Sequence, residues 1–86
     1  MSAAQSAGRI LEAWNQADYS RFENELERAA VCCRTEAPVS ILEDERRELL
    51  ESVVSNLRTL RGTDGNWQVQ RMNTAIDLLR HLRRTR

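Results

Sequence analysis

SILEDERRELLESVVSNLRTLRGTDGNWQVQRMNTAIDLLRHL, residues 40–82, repeats its apolar positions at intervals of three and four on either side of a short polar break. That spacing lines one side of a helix, whereas a half-buried strand would alternate. Leu42, Leu49, Leu50, Val53, Val54, Leu57 and Leu60 fall together in the first half, and Trp67, Val69, Met72, Ala75, Ile76, Leu78, Leu79 and Leu82 in the second. The break, Gly62-Thr63-Asp64-Gly65, is short enough to fold the two halves against each other as an antiparallel hairpin. Ser40 with Glu43 fits a capping box, in which the hydroxyl meets an amide three residues on and the carboxylate reaches back. Glu43, Asp44 and Glu45 then occupy the turn where the helix dipole favours negative charge, and Arg58 and Arg61 the end where it favours positive. Gly62 suits the left-handed position that closes a helix.

Upstream, Pro38 biases Ala37 away from helical geometry and ends the preceding helix. Ala3, Ala7, Ile10, Leu11 and Trp14 share a narrow stripe, which predicts a short first helix weakened by Gly8. Asn15-Gln16-Ala17-Asp18 supplies a break or a bend, with Asp18 able to cap the second helix. That helix would bury Tyr19, Phe22, Leu26, Ala29, Ala30 and Cys33 and leave Glu23, Glu25, Glu27 and Arg28 to solvent. Helices are thus expected at about residues 3–16, 19–34, 40–61 and 66–84. The expected fold is all-α: residues 1–86 as one domain, an antiparallel bundle of three or four helices built around the C-terminal hairpin.

Composition narrows the function. With 13 acidic and 13 basic residues the chain of 86 has a formal charge of zero, so whole-molecule attraction to nucleic acid or anionic lipid is not indicated. Every basic residue is arginine, which removes lysine-based Schiff-base and phosphate-loop chemistry and leaves guanidinium forks suited to carboxylates. The longest apolar run, Ala29 to Cys33, is far below the roughly 20 residues that span a bilayer. Met1 to Gly8 lacks the basic start and apolar stretch of a secretory signal, so the expectation is a cytoplasmic chain with reduced thiols and no membrane insertion. Cys32 and Cys33 are adjacent and point about 100° apart on a helix, which prevents an unstrained disulfide. Together with His81 they fall short of the four ligands of a structural zinc site. No serine, histidine or carboxylate constellation has catalytic spacing. The expectation is a chain that is not an enzyme, with no metal and no cofactor.

The last helix stands out by the width of its stripe, which from Trp67 to Val69 sweeps roughly 200° against roughly 140° for the third. A hairpin partner alone cannot cover that circumference. Either the first two helices pack on the remainder or another protein does. If another protein does, Leu50, Val54, Val69, Met72 and Ile76 are the partner-facing candidates, with Trp67 as a half-exposed aromatic anchor beside the glycine turn. The competing assignment places the same residues in the core or in a homodimer seam.

The order of features resembles the FliT family of small flagellar export chaperones. The likeness is carried by Ile10-Leu11-Glu12-Ala13-Trp14-Asn15-Gln16-Ala17-Asp18-Tyr19 as the opening helix and acidic-aromatic step. Phe22, Leu26 and Arg28 match the second segment, and Leu49-Leu50 through Leu60 the third. The resemblance implies a cytoplasmic helical protein that holds a filament-cap subunit before export, with the segment from Trp67 to Leu82 regulating access. Small chaperones of type III secretion needle subunits are a neighbouring possibility. Two alternatives remain: a structural helical homodimer, and a small regulator contacting nucleic acid through Arg80, Arg83, Arg84 and Arg86.

Overall fold

The computed structural model describes residues 2–35, 37, 40–60 and 69–84, with side chains for all of these except 69 and 70. Four helices follow one another: α1 (Ala3–Asn15), α2 (Tyr19–Thr35), α3 (Ile41–Thr59) and α4 (Val69–Arg84). They pack side by side as an all-α bundle, and no strand occurs among the described residues. The expected Pro38 boundary, the Gly62 C-cap and residues 66–68 of the fourth helix lie outside the described residues.

Local chemistry accounts for most of the helix ends. Ser2 caps α1: its Oγ accepts from the Gln5 N–H at 3.2 Å while the Gln5 Oε1 accepts from the Ser2 N–H at 3.0 Å. At the other end Ala17 takes the left-handed conformation, φ 54°, just beyond the Gln16 cap. Its N–H donates to the Trp14 carbonyl and the Asp18 N–H to the Ala13 carbonyl, both at 3.0 Å, the paired bonds of a Schellman closure. The chain therefore breaks at Ala17 rather than bending through Asp18. Asp18 then starts α2, its Oδ1 accepting from the Arg21 N–H at 3.1 Å. Trp14 closes this corner, with ring centroids 5.2 Å from Phe22 and 5.8 Å from Tyr19 in tilted contacts.

The interior draws on every helix, and α1 touches all three of the others. Among the described residues α2 and α4 make no contact, so α1 and α3 separate them. The faces of α1 explain this. Ala3, Ser6, Ala7 and Ala13 are buried beside Ile10 and Leu11, and such small side chains let neighbouring axes come close. Its most extensive contact is with α4. The wide apolar stripe of α4 is thus met by α3 on one side and by α1 on the other, which is the intrachain answer to the surplus seen in the sequence.

One polar contact ties the start of the chain to its middle. The Ser40 Oγ accepts from the Glu43 N–H at 3.1 Å, as the capping pattern predicts. The Glu43 carboxylate does not complete the reciprocal half of that box. Its Oε1 accepts instead from the Ala3 N–H, 2.8 Å away on α1, and lies 3.7 Å from the Arg47 Nε. Ala3 carries one of the amides that a helix start leaves without an intrahelical acceptor, so a carboxylate from α3 caps α1. Glu43 and Arg47 are both buried. Glu25, expected in solvent, is also buried on α2, where Arg28 lies 3.9 Å away.

Candidate protein-binding surface

Four of the six residues that the sequence nominates as partner-facing are interior residues of this chain. Met72 is 0% exposed, Leu50 1%, Val54 2% and Ile76 4%, all within one core cluster that includes Ile10, Leu11, Phe22 and Leu26. The sequence assignment is corrected by the position of α1, whose small-residue face lets it cover α4. Of the remaining two candidates, Trp67 and the side chain of Val69 lie outside the described residues.

The large apolar side chains that do face outward sit elsewhere. Ile41 is 83% exposed and Leu42 54%, consecutive residues at the start of α3, and Val31 is 42% exposed near the end of α2. The two helices run antiparallel, as the approach of the Cys33 Sγ to the Arg47 carbonyl at 3.9 Å and the Glu27–Arg58 ion pair require. That register sets Val31 level with about residues 49–54 of α3, roughly 10 Å or more along the axis from Ile41 and Leu42, so the exposed pair at the start of α3 stands apart from it. Tyr19, 48% exposed, lies at the opposite end of α2, against Trp14. Leu49 and Leu60 continue the Leu42 edge along α3, and both are partly buried against the core.

The sequence carries a signal for Ile41. It sits about 180° around the helix from Leu50, so it belongs to the polar face rather than to the apolar stripe. A β-branched apolar residue there has no packing role within the chain. Leu42 is hidden by the opposite problem, because the wheel places it at the margin of the stripe and gives no information on where the neighbouring helix stops.

Chemically the described surface is plain. No group of three or more His, Cys, Asp or Glu side chains among the described residues could hold a metal ion. Cys32 and Cys33 are free, and both are partly buried. Burial pushes the Cys33 thiol up from its ordinary value, with the nearby Glu51 carboxylate adding to the effect and Arg47 opposing it. That direction disfavours the thiolate and hence nucleophilic reactivity. His81 is exposed on the last turn of α4, while Arg80 pairs with Asp77 at 3.1 Å. None of the described helices is long and apolar enough to cross a membrane. Comparison with protein-family models, with curated proteins and with solved structures finds no match to this chain.

Proposed function

We propose that this chain is a non-enzymatic helical binding module, acting in the cytoplasm as a chaperone or adaptor for an exported or assembling protein. The partner surface in this reading is the start of α3, with Ile41 and Leu42 at its centre. The observation that carries it is their exposure. Two adjacent large apolar side chains held in water by a well-capped helix gain free energy only when something covers them, roughly 1.5–3 kcal/mol for each if fully buried. The choice of partner class rests on the resemblance to flagellar export chaperones carried by residues 10–19, Phe22, Leu26, Arg28 and Leu49-Leu50 through Leu60. The regulatory role that the resemblance gives to the last helix has less support, because Met72 and Ile76 already lie within the monomer core.

The test uses a photo-reactive amino acid at position 41 and, as a control, at the exposed position 81. The expected result is a discrete cross-linked partner from position 41 that is lost when Leu42→Glu is added, with helicity and thermal unfolding unchanged. Equal cross-linking from both positions would remove the surface from consideration. Sedimentation of the purified chain separates the homodimer alternative. A dimer that becomes monomeric on Ile41→Glu and Leu42→Glu would mean that this end meets a second copy of the chain instead.

A further inference from the structure

A second surface, remote from Ile41, has a different chemistry. An open groove of about 780 Å³ runs along the outer side of α1 and is closed at one edge by Arg83 of α4. Gln5, Gly8 and Arg9 line it together with Arg83. Glu12 and Gln16 also line it, and both are engaged by Arg21 of α2, at 3.6 Å and 3.2 Å. The acidic charge in the groove is therefore already balanced. Among the described residues Arg9 and Arg83 have no ion-pair or hydrogen-bond partner, so the groove carries two uncompensated guanidinium groups on a chain whose formal charge is zero.

Gly8 supplies an independent observation. A glycine within a helix disfavours it relative to alanine, and close packing is the usual compensation. Here packing does not demand glycine: an added Cβ would meet only the Arg83 Cγ and Cδ, each at 3.6 Å, an ordinary contact. Nothing inside the chain needs the missing side chain. The space it leaves belongs to the groove and lies beside the Arg83 stem.

We infer that this groove binds an acidic peptide segment, whose carboxylates pair with Arg9 and Arg83 while its backbone lies over Gly8 and hydrogen-bonds the Gln5 amide. Guanidinium forks match carboxylates in geometry, and side-chain amides match peptide groups. A nucleic acid fits less well, because the chain as a whole has a formal charge of zero, although His81 and Arg84 stand with Arg83 on the last turn of α4. The inference is independent of the apolar start of α3, and either can fail alone.

The experiment titrates the full chain into a fluorescein-labelled peptide of alternating glutamate and glycine at low salt, followed by anisotropy. A glutamine-glycine peptide, inorganic phosphate and duplex DNA serve as competitors. Saturable binding of the glutamate peptide is expected, weakened by salt and reduced about tenfold by Arg9→Gln with Arg83→Gln, the sum of two exposed charge contacts. Gly8→Ala provides a readout that a purely structural glycine would not give: the variant should unfold at a higher temperature yet bind the peptide more weakly. Equal binding of the glutamine peptide, unchanged affinity in the double arginine variant, or unchanged affinity in Gly8→Ala would each overturn the inference. Preferential displacement by DNA or by phosphate would also overturn it and reassign the groove to phosphate groups.

Discussion

Replacing Glu43 by alanine removes one side chain and should loosen two helices. Its carboxylate caps α1 through the Ala3 N–H at 2.8 Å and faces the Arg47 Nε at 3.7 Å, and both side chains are almost entirely enclosed. A hydrogen bond to a charged acceptor contributes about 1.5–3 kcal/mol. Favourable charge at the start of a helix adds about 0.3–1 kcal/mol. Loss of the carboxylate also removes the counter-charge of a buried guanidinium, an effect that reaches about 3–5 kcal/mol where the remaining charge finds no other compensation. Arg47 keeps other interactions, and alanine is the better helix former, so a net loss of about 3 kcal/mol is the expected value. For a domain of this size that corresponds to a fall in Tm of about 12–24 °C. Glu43→Gln preserves an oxygen for the Ala3 N–H and removes only the charge, so its loss should be roughly half as large. Urea unfolding followed by circular dichroism gives both values, and amide exchange should show the lost protection concentrated in the first turn of α1. A loss below about 0.5 kcal/mol for the alanine variant, or equal losses for alanine and glutamine, would refute the capping role.

Three further outcomes are expected from the same structure. Met72→Ala should cost about 2–5 kcal/mol in chemical denaturation, because the side chain is fully enclosed, whereas Ile41→Ser at a site 83% exposed should change stability by less than about 0.5 kcal/mol. Ala17→Gly should raise stability by about 0.5–1 kcal/mol, since the left-handed backbone at φ 54° is strained for alanine and the gain is only partly offset by the freer unfolded chain. The Cys33 thiol, raised from its ordinary value of 9.0, holds its proton more tightly in the folded state. Its contribution is therefore fully present below pH 9 and lost as pH rises through the folded value, so Cys33→Ser should flatten the alkaline decline in stability. Iodoacetamide at pH 8 should also label Cys33 more slowly in the native protein than in urea.

Whatever depends on close neighbours along the chain is legible in the linear order of residues. Four amphipathic segments and the Asp18 and Ser40 caps come from periodicities of three and four and from side chains that bond amides three residues away. These interactions span a single helical turn, so linear order contains them. Approach across the bundle is a different matter, and it was settled by packing. The stripe on α4 looked too wide for one chain because a helical wheel shows apolar width without showing how near another helix can come. The alanines of α1 bring that helix close enough to cover Met72 and Ile76, and the separate approach of α3 to α1 places the Glu43 carboxylate on the Ala3 amide, 40 residues away in sequence. Exposure of Leu42 has the same origin, for the wheel places it at the margin of the stripe while only the packed bundle fixes where its covering helices end, whereas Ile41 is already on the polar face of the wheel.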